Sequence, residues 1–445
     1  MRPWSAARLA ALGGAQVLHG APAGPVRAVI DSRSVEPGDL FVGLPGERVD
    51  GGAFAAAALE AGAWGVLVAP GHVRGLPAGR GAVLAAHEPL GALHALARAW
   101  RRELGAAVIA VTGSVGKTST KELIAAMVRR HRTVVASRAN FNTEIGLPLE
   151  LLGAPPGTEV LVLELAMRGF GQIAELAAIC EPDVGVITNI APVHLEKVGS
   201  LEGVARAKGE LLGGLRAGAT AVLPAGEARL DPWLTAGVER VTFGPGGDVD
   251  WAPGEDGRVV VAQGERLALE LPFTQRHNLT NALAAVAAAR AAGVRPEGRV
   301  DVAFGALRGE RVALDDGVVL INDCYNANPL SMRAALDDLA LQEPAGRRVA
   351  VLGDMLELGP QEVEHHREVG AHAGRAGVEV LVTVGRRAAV MAEVYDGEVH
   401  AVEDAAEAAR IVSGLLRPGD LVLVKGSRGV GLEVVAAALA GKAGG

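Results

Sequence analysis

Two cysteines, Cys180 and Cys324, are all that 445 residues contain, and they lie far apart. Neither sits in a metal-type cluster, so a disulfide scaffold or zinc module is excluded and a reduced, cytoplasmic protein is expected. Aromatic residues make up only 3% of the chain against 49% hydrophobic residues. The cores must therefore be built from Ala, Val and Leu. No sustained apolar run follows Arg2 and Arg8 in "MRPWSAARLAALGG", so neither a signal peptide nor a membrane span is read. A net charge of −8 offers no basic face for a phosphate backbone, which argues against nucleic acid as a partner. Lysine is also scarce. There are six, Lys117, Lys121, Lys197, Lys208, Lys425 and Lys442, against 37 arginines. Where arginine is the default cation, some of the lysines are expected to serve as amines.

What is present is length and alternation. A chain of 445 residues exceeds one ordinary core and suggests two to four domains. Short strand patterns ("AVIDSR", "DLFVGL", "WGVLVA") fill the first part. Buried strands then alternate with helices ("AAVIAVTG", "VLVLELA", "DVGVITNI"). A third region repeats that pattern with "VVLINDCYNANP", "RVAVLGDM", "EVLVTVG" and "DLVLVKGS". Such alternation predicts α/β domains with parallel sheets, whose ligands bind at the carboxyl ends of strands. The expected division is 1–85, 86–310 and 311–445.

"AVIAVTGSVGKTSTKEL" carries the clearest chemistry. The usual phosphate loop, G-x-x-x-x-G-K-[ST], needs a glycine where Val111 stands. The groups that would hold a phosphate remain. Gly113, Ser114, Val115 and Gly116 let backbone N–H groups curl round an anion, and Lys117 neutralises phosphates. Thr118, followed by Ser119, offers a hydroxyl to Mg²⁺. Glu164 closes an apolar strand, either as an ordinary strand-end acid or as a magnesium ligand. His194, beside Asn189 after another strand, is either structural or a ligand. Lys208 lies among small residues on a helix. Alone it reads as a surface lysine, but its residue type suggests amine chemistry. Asn278 and Asn281 face one side of an Ala-rich helix, as a cap or as readers of a purine edge. Asn322, Asp323, Tyr325, Asn326 and Asn328 crowd one strand end. Asp354, Lys425, Ser427 and Arg428 sit at two others, where a helix start could meet a carboxylate. Ser32 and Arg33 follow a short strand, as a turn or a phosphate contact.

In order, "TGSVGKTST", "NFNTEIGLP", "TNIAPVHLEKVGSLEGVARAKGELL", "HNLTNALAA", "NDCYNANPLSM", "GDMLELG" and "VKGSRG" resemble the Mur ligases, the ATP-dependent enzymes that extend the peptidoglycan precursor. The resemblance runs from about residue 30 to 435. It implies an N-terminal uridine-binding domain, a central ATPase domain and a C-terminal Rossmann-like domain. It also implies that the short loop is the family's usual form. The motifs "YNANP", "GDMLELG" and "VKGSRG" point to the activity that joins D-alanyl-D-alanine to UDP-N-acetylmuramoyl-tripeptide, in a monomer. The alternative is another ligase of the superfamily, tripeptide-forming or folylpolyglutamate synthase-like.

By resemblance, Lys117 and Thr118 serve ATP and magnesium, while Glu164 and His194 bind one or two Mg²⁺. Lys208 is the lysine that becomes carbamylated. Asn281, Arg311 and Asp323 contact ATP. Ser32, Arg33, Asn142 and Thr143 lie in segments for the UDP-sugar, and Asn326, Asn328, Asp354, Lys425, Ser427 and Arg428 near the acceptor. Gln275, Ala166 and "RGERVAL" depart from the pattern, the last at Arg311 itself.

Overall fold

The structure, a computed structural model, describes residues 4–138, 140–254, 257–305 and 307–442. The first of its three main sheets has five strands, in the order Gln16–His19, Ala82–Ala85, Gly65–Val68, Leu40–Val42 and Ala28–Val29. Only the first pair is antiparallel. Helix Pro89–Leu104 leads away from this sheet. Its Trp100 meets Trp4 edge-on, with ring centroids 5.3 Å apart, and donates from its indole N–H to the carbonyl of Ala154 at 3.0 Å. One aromatic residue thus ties the N-terminal helix to the central region.

The second sheet has nine strands. Its centre is β1 (Ala107–Thr112), between β2 (Val160–Glu164) and β3 (Val184–Ile187), all parallel. Ile109 and Val111 of β1 are fully buried. Each such side chain contributes roughly 1.5–3 kcal/mol relative to exposure, which is why an unbroken apolar run becomes a central strand. Helix α1 (Lys117–Arg129) follows β1 and packs on α3 (Arg276–Ala291), while α2 (Leu201–Gly213) follows β3. Six of the ten buried residues of α3 are alanine, so the two helices can approach closely. At its end Gly293 takes a left-handed backbone, φ 75°. Beyond these, Val249–Gly254 joins Glu239–Phe243 in parallel, and Gly257–Ala262 and Glu265–Leu267 extend the sheet as antiparallel strands.

The third sheet has six strands. β4 (Val319–Asn322) and β5 (Arg348–Gly353) flank β6 (Leu421–Lys425) in parallel, and α4 (Pro329–Ala340) follows β4. Among the described residues no helix is long and apolar enough to cross a membrane.

Candidate active site

The turn from β1 into α1 is held from below by the end of β3. Ser114 N–H donates to the Asn189 carbonyl at 3.1 Å and Val115 N–H to Asn189 Oδ1 at 2.9 Å. Thr188 Oγ1 donates to the Val115 carbonyl at 2.6 Å. Two glycines make this geometry possible. At Gly113 (φ 148°) a Cβ would lie 1.8 Å from Thr188 Oγ1, and at Gly116 (φ 82°) one would lie 2.4 Å from Asn281 Oδ1. The first-turn N–H groups of Lys117, Thr118 and Ser119 have no partner within α1 and form an anion-binding end. Lys117 Nζ folds over the loop, donating to the Gly113 carbonyl at 2.9 Å. Its pKa is lowered mainly by burial; Glu164 opposes this and the Arg308 charge adds to it.

Glu164, at the end of β2, is buried at 7% exposure. Its Oε2 accepts from Thr118 Oγ1 at 2.6 Å and its Oε1 from Asn142 Nδ2 at 2.9 Å. No cationic side chain forms an ion pair with it among the described residues. A buried carboxylate held by neutral donors beside a phosphate loop fits a hard divalent cation. Among the described residues no three His, Cys, Asp or Glu side chains form a cage. Magnesium bound through one or two carboxylates takes its other ligands from phosphates and water.

Lys208, in α2, is only 2% exposed. No hydrogen bond or ion pair reaches its ammonium among the described residues. Burial, reinforced by the Lys117 charge, pulls its pKa well below 10.5. The neighbouring Gly209 lets the Trp233 indole lie against the helix, where a Cβ would come within 2.4 Å of the ring. His194 precedes the turn Leu195–Val198 in a left-handed backbone, φ 54°. Its Nδ1 is hydrogen-bonded to Glu357 of the C-terminal region. Its pKa is lowered, chiefly by burial, with Glu357 opposing.

The facing wall comes from the third sheet. Lys425, 3% exposed at the end of β6, donates to Asp323 Oδ2 at 2.6 Å and to the Asn326 carbonyl at 3.0 Å. Two residues expected to hold different ligands are thus partners of one another. Asn328 caps α4, its Oδ1 accepting from Ser331 N–H at 2.9 Å, while still facing the cavity. Tyr325 donates from its hydroxyl to Asn140 Oδ1 at 2.6 Å, bridging the two sheets, and the Arg308 guanidinium lies 3.8 Å over its ring. His277 and Asp338 form another bridge at 2.9 Å.

Between the walls lies a cavity of about 1030 Å³. Its lining takes in Lys117 to Ser119, Asn142, Thr143, Glu164, His194 and Asn281 from the central region. Asp323, Asn326 and Lys425 line the opposite side. Lys208, Asp354, Ser427 and Arg428 do not line it. Asp354 accepts from Ala388 N–H at 2.7 Å, Ser427 Oγ from Leu356 N–H at 3.0 Å, and Arg428 reaches Glu433 at 3.6 Å. These three hold loops of the third sheet together. Ser32 and Arg33 lie in a short turn of the N-terminal sheet, with Arg33 paired to Asp31 at 2.8 Å. Arg311 lines the cavity but donates to Gln342 Oε1 at 2.5 Å, whereas Arg308 is the arginine whose charge reaches Lys117. Sequence reading passed over Arg308; its three-residue offset from Arg311, on the same approach to β4, was the available signal.

Comparison with known proteins places this geometry among relatives. Residues 28–101 match the Mur ligase family catalytic domain, 111–289 the Mur ligase middle domain and 307–428 the Mur ligase glutamate ligase domain. UDP-N-acetylmuramoyl-tripeptide–D-alanyl-D-alanine ligase of Bacillus subtilis is 36% identical, over 94% of this chain and 92% of the relative. The Escherichia coli enzyme of that name is 33% identical over 92% of each. The crystal structure of MurF from Acinetobacter baumannii superposes with a TM-score of 0.87 at 29% identity, covering 99% of each chain. MurF of Thermotoga maritima in complex with ADP gives 0.81 at 28%, covering 94% of this chain and 97% of that one.

Proposed function

Because this chain belongs to the Mur ligase family, we propose that it is an ATP-dependent ligase joining D-alanyl-D-alanine to UDP-N-acetylmuramoyl-tripeptide. The observation that carries the reading is a cavity shared by two walls, with a phosphate loop on one and the Asp323–Lys425 strand ends on the other. Phosphoryl transfer and amide formation can then share one enclosed space.

The terminal carboxylate of the tripeptide attacks the γ-phosphorus of ATP. The bond to the β-phosphate oxygen breaks, ADP leaves and an acyl phosphate forms. Lys117 and the first-turn N–H groups of α1 face the charge that spreads over the transferred oxygens. The Arg308 guanidinium adds a further cation there. Thr118 and Glu164 would hold a magnesium ion, which would supply charge neutralisation on the phosphates. The free amine of D-alanyl-D-alanine, having lost its proton, attacks the acyl carbon. The C–N bond forms, phosphate departs, and the second ammonium proton passes to solvent or phosphate. Bridges such as Tyr325–Asn140 and His277–Asp338 draw the walls together, which limits the water able to hydrolyse the acyl phosphate.

Lys208 is the carbamylation site in this reading. Its burial favours the neutral amine, and a neutral amine adds to CO₂, giving a carbamate and one proton. The carbamate replaces an unpaired buried base with an anion able to hold a second magnesium together with His194. ATP and a nucleotide-linked substrate put the reaction in the cytoplasm.

The test is a product assay with ATP, Mg²⁺, UDP-N-acetylmuramoyl-tripeptide and D-alanyl-D-alanine. An ATP-dependent mass gain of one dipeptide residue pair on the sugar nucleotide is expected. Phosphate release without that product would refute the assignment.

A further inference from the structure

The contact between His194 and Glu357 joins residues 163 positions apart, in loops that follow strands of two different sheets. We propose that Glu357 is a positioning residue: from the C-terminal domain it fixes the ring of His194 in the tautomer that can bind a metal ion. The proposal rests on the reading of His194 as a magnesium ligand. An ionised carboxylate only accepts hydrogen bonds, so the proton of the neutral ring must sit on Nδ1. Nε2 is left with its lone pair, the form a metal requires, and a carboxylate on the other ring nitrogen is the usual way to hold such a ligand.

The loop that carries Glu357 is built to hold it still. Met355 N–H donates to Nε2 of the fully buried His366 at 3.0 Å, and Leu356 N–H to Ser427 Oγ at 3.0 Å. Leu358 is fully buried. Glu357 itself takes a left-handed backbone, φ 63°, as does His194 at φ 54°. Strained positions of this kind persist where surrounding structure fixes them and often mark function. Gly359 supplies the left-handed backbone, φ 67°, with which the loop passes Leu195 and Glu196 of the central domain. No other cationic side chain pairs with Glu357 among the described residues. The ring of His194 is therefore set only while the C-terminal domain is docked, which links metal affinity to domain closure.

The experiment uses the full chain with ADP, titrated with Mn²⁺ and read by the electron paramagnetic resonance signal of the free ion. Small-angle scattering on the same samples reports docking. Glu357→Ala is expected to weaken Mn²⁺ binding at one site about tenfold. Glu357→Gln, whose amide oxygen still accepts from Nδ1–H, is expected to retain most of the affinity. Unchanged Mn²⁺ affinity in Glu357→Ala overturns the proposal, even if scattering shows the domains parted, because the contact is then only a clasp. His194→Ala separates the two readings. If it loses Mn²⁺ while Glu357→Ala does not, positioning alone fails. If His194→Ala also binds normally, the ligand reading fails and the proposal falls with it.

Discussion

Replacing Gly113 by alanine tests the idea that the phosphate loop is shaped by the residue beneath it. At φ 148° the backbone is costly for an L-residue, and the new methyl would lie 1.8 Å from Thr188 Oγ1 and 3.0 Å from Thr188 Cβ. The backbone strain costs about 1–3 kcal/mol. Overpacking costs a further 1–3 kcal/mol or so. Thr188 is only 4% exposed and cannot swing away freely. If it turns, its bond to the Val115 carbonyl is lost, worth about 1 kcal/mol. That carbonyl keeps the Asn189 Nδ2 donor at 2.9 Å. The three contributions sum to roughly 3–7 kcal/mol, or on the order of 10–20 °C in the melting temperature of a domain this size. Thr188→Ala alone loses a buried hydrogen bond, about 1–2 kcal/mol. It also removes the clashing oxygen, so the double variant is expected to be about 1–2 kcal/mol more stable than the two singles sum to. Thermal unfolding by circular dichroism measures this cycle, with calorimetric ADP binding as the functional counterpart. Strict additivity would refute the reasoning.

Other consequences follow from the same site. Lys208→Met removes a buried base with no counter-ion, so the melting temperature is expected to rise by a few degrees while ligase activity disappears. In CO₂-free buffer the wild-type protein should grow more stable as pH rises towards 10.5, the unfolded lysine value, because the unfolded state binds the proton that the folded state refuses. Comparing the pH dependence of unfolding with that of Lys208→Met isolates this slope. Lys425→Met leaves Asp323 without its cation, at a cost of about 2 kcal/mol since that carboxylate is 24% exposed. Chemical denaturation measures the loss. Arg308→Ala is expected to lower kcat/KM for ATP by about 10²–10³, whereas Arg311→Ala changes it little. Equal effects in steady-state kinetics would contradict the assignment of the phosphate-facing cation to Arg308.

Much of the site was legible because its signals are local. A buried strand, a glycine pair, a lysine and a helix start lie within a dozen residues, and backbone geometry alone turns them into an anion cradle. Of the scarce lysines, Lys117 and Lys425 line the cavity, and Lys208 is buried away from it. Lys121 is as deeply buried but holds the Ser137 carbonyl and Glu122 instead. What stayed hidden depends on which strand ends face one another. Glu357 looked like an ordinary acid in "GDMLELG" until the fold set it on His194. The Asp323–Lys425 pair arises because β4 and β6 are adjacent, although 102 residues separate the partners. The antiparallel strands after residue 249 carried an alternating pattern with Gly264 between two of them. That signal was local and went unread beside the stronger parallel ones.

The indole that lies against Gly209 gives the chain an optical property. Its five tryptophans are Trp4, Trp64, Trp100, Trp233 and Trp251, so the sequence after residue 251 contains none. Tryptophan emission, excited selectively over Tyr325 and Tyr395, therefore does not report on the C-terminal sheet. It is weighted towards the first two sheets, and one emitter rests on the helix turn next to Lys208. Exchange of a neutral amine for an anion on that turn changes the field across the ring and with it the emission wavelength. Trp233 thus offers a built-in, label-free gauge of the charge on Lys208, a buried amine with no hydrogen-bond or ion-pair partner among the described residues.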